Sequence, residues 1–324
     1  MASLSNKSSN NSATKTPMLN PDGKFARSWS LFTSSVQVIR QHKKLLLFPI
    51  VTAACSVAIA LFFFAPALLY PSGHALTTSG HWLSVASGIG LDLDGQKPQL
   101  HPTTLFYAYT VVVYLVSMFM ATFANVAFYH QILEALSGQP VSIRAGVRFA
   151  ASRWQSILVW SLFAGLVGLI IKSLEERFGL IGQWVMKFVG VVWSVASIFA
   201  IPVIIREGTT NPVAMLRNSA STLRKTWGES LIGYAGITVG SWIVALGSMA
   251  LLAAAIVTAV LLHMPILILP AVLLWLAAMC AYGYIIAVAN HIYRCALYVY
   301  ASEGVVPTAY SADMMNMAWK VKKS

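Results

Sequence analysis

Apolar residues come in long runs, and the polar stretches between them are short. At roughly 20 residues per bilayer crossing, six runs are long enough to span: about 45–70, 104–128, 155–171, 184–205, 231–261 and 266–292. The third is the shortest. Only His263, Met264 and Pro265 interrupt the apolar sequence between the last two. A reversal is expected there, because a single helix of about 60 residues would be roughly three times as long as a bilayer is thick. Pro49, Pro202 and Pro270 fall near run ends, where proline can start or bend a helix.

A second period appears between the runs. Phe25, Trp29, Phe32, Val36 and Ile39 are spaced by three or four residues. So are Ile143, Val147, Ala150 and Trp154; Val213, Leu216, Ala220, Leu223 and Trp227; and Tyr310, Met314, Met317 and Val321. This spacing sets apolar side chains on one helix face. Arg or Lys occupies the opposite faces, and each segment carries a tryptophan (Trp29, Trp154, Trp227, Trp319), as in helices that lie in the headgroup region. The pattern predicts an all-α integral membrane protein with about six transmembrane helices in three hairpins. A cytoplasmic interfacial amphipathic helix precedes each hairpin, and a further amphipathic tail occupies 308–324. The polytopic domain covers 25–307. Residues 1–24, rich in Ser, Asn, Thr and Lys, are expected to be a disordered cytoplasmic tail without the apolar stretch a signal peptide needs. Ala124-Asn125 with Phe128, and later Pro140, are echoed by Ala289-Asn290 with Tyr293, and later Pro307, which suggests an internal repeat.

Composition supports this class. Charged residues make up 10% of the chain and hydrophobic ones 57%, with mean hydropathy +0.70; soluble domains are about a quarter charged. The net charge of +12 could suggest nucleic acid, but the cations flank apolar runs instead of gathering on a soluble face, so no nucleic-acid partner is expected. Their distribution is one-sided. The tails and even-numbered loops carry eighteen of the 22, leaving Lys97, Lys172, Arg177 and Lys187 on the other side. The positive-inside rule therefore sets both termini in the cytoplasm. Cys55, Cys280 and Cys295 all lie in or beside apolar runs, and no CxxC occurs, so reduced, packed thiols are expected.

Candidate chemistry is sparse. The spans hold almost no ionisable groups, whereas transport pathways usually do. Lys187 lies about one turn inside the fourth span, and His130, Glu134, His291 and Arg294 mark the ends of the second and sixth. His291 and Arg294, one turn apart, could meet a lipid phosphate, as could Arg217, Arg224 and Lys225 on the 4–5 loop. Asn125 and Asn290 suit an interhelical polar contact. His74, His81, His101, Asp92 and Asp94 are too scattered for a metal site. No catalytic set and no cofactor are predicted. Small residues (Ala164, Gly165 and Gly168 in span three; Gly233, Gly236, Gly240 and Gly247 in span five) suit close helix packing.

Phe25–Leu31 (FARSWSL), Lys43–Pro49 (KKLLLFP), Ala214–Ser219 (AMLRNS), Thr226–Glu229 (TWGE) and Ala296–Ala301 (ALYVYA), followed by Gly304 and Pro307, resemble the DUF6159 family of uncharacterised bacterial polytopic membrane proteins. In layout alone the chain is also similar to the membrane domain found beside some glycerophosphodiester phosphodiesterases, whose catalytic domain it lacks. The family resemblance implies the bacterial inner membrane and no known activity. The expected function is a non-enzymatic scaffold or accessory subunit. It would organise lipid, including anionic lipid, or a membrane or cytoplasmic protein partner through its cytoplasmic helices. The alternative is a permease or channel for an apolar or lipidic solute. Whether the amphipathic helices dock a partner or only rest on the membrane surface stays open.

Overall fold

The structure, a computed structural model, describes residues 24–92, 99–101, 103–225 and 230–310, with the backbone alone at 24–31, 92, 99–100, 180–181, 230–241 and 243. The elements are α1 (Lys24–Gln41), a 3-10 turn at Lys43–Leu46, α2 (Leu47–Leu68), α3 (Ser79–Gly88), β1 (Leu91–Asp92), β2 (Gln99–Leu100), α4 (Thr104–Leu136) and α5 (Ile143–Ser152). They continue with α6 (Trp154–Arg177), α7 (Leu180–Ala196), α8 (Ala200–Glu207), α9 (Pro212–Lys225), α10 (Ser230–Leu261) and α11 (Ile268–Glu303). The two strands are a two-residue antiparallel pair, Leu91 opposite Leu100.

Six stretches among the described residues are long and apolar enough to cross a membrane: Lys43–Leu68, Thr104–Leu136, Trp154–Arg177, Gly182–Glu207, Val244–Leu261 and Pro265–Glu303. The chain is a multi-pass membrane protein. Consecutive spans pack on one another, α2 on α4, α6 on α7 and α10 on α11. α4 is central, touching α5, α6, α8 and α11 as well. The reversal between α10 and α11 falls where the sequence places it, with His263 in the left-handed region (φ 56).

Local chemistry sets several boundaries. The Thr103 hydroxyl accepts from Phe106 N (3.2 Å) to start α4. Asn211 Oδ1 accepts from Val213 N (3.0 Å) and Ala214 N (3.2 Å), with Pro212 as the first residue of α9, where a missing N–H costs nothing. Gly208 (φ +62) and Gly304 (φ +68) end α8 and α11 in the left-handed conformation that glycine tolerates. At the far end of α2, His81 is buried and bonds both Ala67 O (3.0 Å) and the Ser72 hydroxyl (2.7 Å). Its imidazole ties α3 to the last turn of α2.

Helices α4 and α11 extend well past the ends of their apolar runs. α4 has 33 residues and α11 has 36, about 50 and 54 Å against a hydrocarbon layer of roughly 30 Å. The sequence reading closed these spans at 128 and 292; the helices continue to Leu136 and Glu303. The extra turns carry Ile132, Leu133, Cys295, Ala296 and Tyr298, all buried. The core gathers at that end of the bundle. It includes Leu45 of the 3-10 turn and Phe48 at the start of α2, Ile157 and Trp160 at the start of α6, and Val203 and Ile204 of α8. Toward the other end the side chains face outward, with Leu105 80% and Leu274 74% exposed, as surfaces meant for lipid do.

Span four is not one helix. α7 stops at Ala196, and α8 starts at Ala200 after a turn at 197–199. The cause is Pro202, which has no N–H to give the Ile198 carbonyl and crowds it sterically. Ser219 of α9, fully buried, closes the gap: its hydroxyl donates to Ala196 O (2.6 Å) and accepts from Phe199 N (3.0 Å).

The helices outside the spans bury part of each apolar stripe together with small or polar residues beside it. In α9 the inward residues are Met215, Ser219, Thr222 and Leu223, while Val213 is 61% exposed. In α5 they are Gly146 and Ala150, with Val147 facing out. In α1, Ser34, Ser35, Val38 and Ile39 are buried, with Phe32 and Val36 packed against the core. The side chains of Phe25 and Trp29, and all of Trp227, Met314, Met317, Trp319 and Val321, lie outside the described residues. Tyr310 lies within them. Its buried hydroxyl bonds Ser35 (2.8 Å), pinning the C-terminal segment to α1, and burial pushes the phenol above its usual range. Tyr310→Phe is expected to cost about 1 kcal/mol, read as a lower melting temperature in detergent.

Of the small-residue faces, Gly165 meets the Tyr114 ring of α4, whose hydroxyl donates to the Gly165 carbonyl (3.0 Å). Gly247 has open space around it, and Gly233, Gly236 and Gly240 fall where only the backbone is described. Cys295 is packed in the core; Cys55 and Cys280 are free thiols on the exposed surface of the spans, contrary to the expectation of packing. A thiol is apolar enough to face lipid, so membrane exposure costs it little.

Candidate functional site

Many polar groups of the described chain converge at the packed end of the bundle. α4 and α11 are joined there by a hydrogen bond between the Tyr129 hydroxyl and His291 Nδ1 (2.8 Å). The Phe128 ring meets the same imidazole edge-on at 5.5 Å. One residue along, His130 stacks on Phe149 of α5 (3.8 Å between ring centres) and lies 3.8 Å from Glu134. Gln131 is buried; its amide donates to His130 Nδ1 (3.0 Å), and its carbonyl accepts from Ser142 N (2.7 Å), holding α5 against α4.

A second set links α8 to its neighbours. Arg206 pairs with Glu303 of α11 (2.9 Å), and Asn218 of α9 donates to Glu207 (2.6 Å). The Arg153 guanidinium lies 5.7 Å above the Phe149 ring and against Gly208, whose carbonyl accepts from the Ser156 hydroxyl (3.3 Å). These contacts are cross-links between helices. They hold six elements in register at one end of the molecule.

The residues singled out by sequence separate into two places. His291 and Arg294 are half-buried inside this cluster. Arg217, Arg224 and Lys225 are exposed on the outer side of α9. Asn125 is exposed on α4, and Asn290 Oδ1 is buried without a hydrogen-bond partner, as is the Tyr293 hydroxyl one turn on. The interhelical polar contact lies nearby in the Tyr129–His291 pair instead. Lys187 rests against the Trp184 ring (5.5 Å) near the opposite end. His74 and His101 are exposed, and Asp94 lies outside the described residues. No group of three or more His, Cys, Asp or Glu with metal-holding geometry occurs among the described residues.

Sequence reasoning passed over Gln131 and Ser219, two polar residues within apolar surroundings. Pro202 was the available signal for Ser219, because a proline inside a span frees backbone groups that something must satisfy. It also passed over two cavities. One is an apolar groove of about 380 Å³ between α2 and α4, floored by Ile143 and Val147 of α5. The other is a cleft of about 570 Å³ between the basic stretch Arg40–Lys44 and the α4–α5 loop at Gly138, Pro140 and Val141.

A family of unknown function, DUF6159, matches residues 104–308. The matched stretch begins with α4, so the Phe25–Leu31 and Lys43–Pro49 motifs lie outside it. No curated protein and no solved structure matches the chain.

Proposed function

From the premise that this chain belongs to the DUF6159 family, whose function is unknown, we propose that it is a non-enzymatic scaffold or accessory subunit of the bacterial inner membrane. Its spans form three hairpins. Its short helices lie at the cytoplasmic interface, and together they present a surface that organises lipid or partner proteins. The observation that carries this reading is the placement of packing and polarity. Most of the core, the Arg206–Glu303 ion pair and the Tyr129–His291 cross-link lie where α4 and α11 exceed the length of a crossing, while the spans beyond are largely apolar and outward-facing. A rigid platform at the membrane surface suits docking better than passage of a polar solute, which would want ionisable groups at mid-depth.

Orientation is the first test. Cysteine labelling in whole cells should leave positions on the 208–211 loop protected and positions on the 72–78 loop reactive; the reverse pattern refutes the cytoplasmic placement. The docking surface is the second. Arg217→Glu, Arg224→Glu and Lys225→Glu together should strip partners or anionic lipid from protein isolated out of native membrane. Unchanged co-purification would count against a role for that face.

One observation favours the alternative of a permease for an apolar or lipidic solute: the α2–α4 groove runs along the spans and is open on one side. Solute-dependent flux in reconstituted vesicles would establish that reading over the scaffold.

A further inference from the structure

We infer that the chain binds an anionic glycerophospholipid, with an acyl chain in the groove between α2 and α4 and the phosphate in the cleft formed by Arg40, Lys43 and Lys44. This rests on the membrane setting of the proposed function, not on its scaffold role.

The two cavities are lined by different residues that lie close along the chain on both sides. On one side the basic stretch Arg40–Lys44 runs through the 3-10 turn into Phe48, the first groove residue of α2, four positions after Lys44. On the other side Val141 of the cleft precedes Ile143 of the groove by two positions. The cleft therefore lies near the end of the groove where the polar cluster is found. A phospholipid needs that order, apolar along the span and charged at its end.

Each cavity also has the right chemistry. Val51, Cys55 and Ile59 of α2 face Val113, Met120 and Ala124 of α4, a lining with almost no polarity. Its volume falls in the range of roughly 300–1,000 Å³ typical of ligand sites. Gly146 and Ala127 let α5 close the floor against α4. In the cleft, Arg40, Lys43 and Lys44 are exposed, and no carboxylate lines it among the described residues. A phosphodiester with net negative charge suits three cations. A zwitterionic headgroup brings its own ammonium among them and loses much of that attraction. At roughly fivefold in affinity per cation near an anionic group, the preference for anionic over zwitterionic lipid should be on the order of 100-fold.

The test uses the full chain purified in mild detergent, with dioleoyl-phosphatidylglycerol, dioleoyl-phosphatidylcholine or inorganic phosphate added, read by native mass spectrometry and by thermal shift. One phosphatidylglycerol per chain should be retained and should raise the melting temperature, with phosphatidylcholine on the order of 100-fold weaker and phosphate without effect. Lys43→Gln with Lys44→Gln should erase most of the preference. Ala121→Trp, which fills the groove, should weaken both lipids while the remaining preference stays. Equal retention of the two lipids overturns the headgroup site, and stabilisation by phosphate alone overturns the acyl groove. If a variant fails to fold, the three ligands on the natural chain still decide. Loss of the lipid preference with the cysteine-labelling pattern intact sinks this site alone; a reversed labelling pattern sinks the proposed function.

Discussion

Ser219→Ala should lower the stability of the chain by about 3 kcal/mol, from roughly 1–3 kcal/mol for each of two buried backbone groups left unsatisfied. The hydroxyl it removes accepts from Phe199 N and donates to Ala196 O, and both groups lie inside a span with no water to take them over. Pro202 makes the defect permanent, since span four cannot close its own ladder across 197–199. Two controls separate this cause from general damage to α9. Ser221, exposed on the same helix with its hydroxyl on the Asn218 carbonyl, should change stability by less than about 0.5 kcal/mol when made alanine. Pro202→Ala restores an N–H for the Ile198 carbonyl and should recover part of the loss when combined with Ser219→Ala, a coupling visible in a double-mutant cycle. Melting in detergent followed by intrinsic fluorescence would read all three. Additive effects would show that the break and the serine are unrelated.

Gly146→Val should be at least as damaging. A Cβ at this position would lie 2.7 Å from the Ala127 carbonyl oxygen, 3.0 Å from Gln131 Cγ and 3.2 Å from Phe48 Cε1. The first of these belongs to the backbone of the central helix α4, which cannot yield, so α5 must move away. That movement pulls Ser142 N from the buried Gln131 carbonyl. Overpacking of this kind costs about 1–3 kcal/mol, occasionally more, and the stranded amide adds to it. Gly146→Ala should do less harm than Val, in keeping with the smaller intrusion. Gly247→Ala is the informative contrast. It lies in the interior of α10 with nothing within 4 Å, so alanine there should stabilise the helix by about 0.5–1 kcal/mol. Measured melting temperatures that fall equally for both glycines would refute the close-contact explanation.

The candidate site was legible only in outline. His291 and Arg294 stood out as ionisable residues at the end of a long apolar run, and the structure sets them among interhelical contacts. Their environment was not legible: Tyr129 lies 162 residues from His291, and an apolar run gives no sign of which tyrosine will face which helix. The asparagines show the same limit. Asn125 and Asn290 stood at matching places in the internal echo, yet one is exposed and the other has a buried oxygen without a partner. The stripes of α5 and α9 marked them as helices, but did not show that Gly146 and Ser219 would be buried beside stripe residues such as Ala150 and Leu223.

Six apolar spans and the sharp reversal near His263 belong to the sequence alone, because each depends on run length and hydropathy. Pro202 marked a place where span four could bend, and the structure decided that it breaks there. The rest was decided in three dimensions: that α4 and α11 outrun the bilayer, that the core collects at one end, that Ser219 repairs span four, and that a basic cleft forms near an apolar groove. These depend on which backbones meet. A side chain's worth is set by the unsatisfied group or open space opposite it, and partners such as Phe199 for Ser219 or Ala127 for Gly146 come together only once the helices have packed.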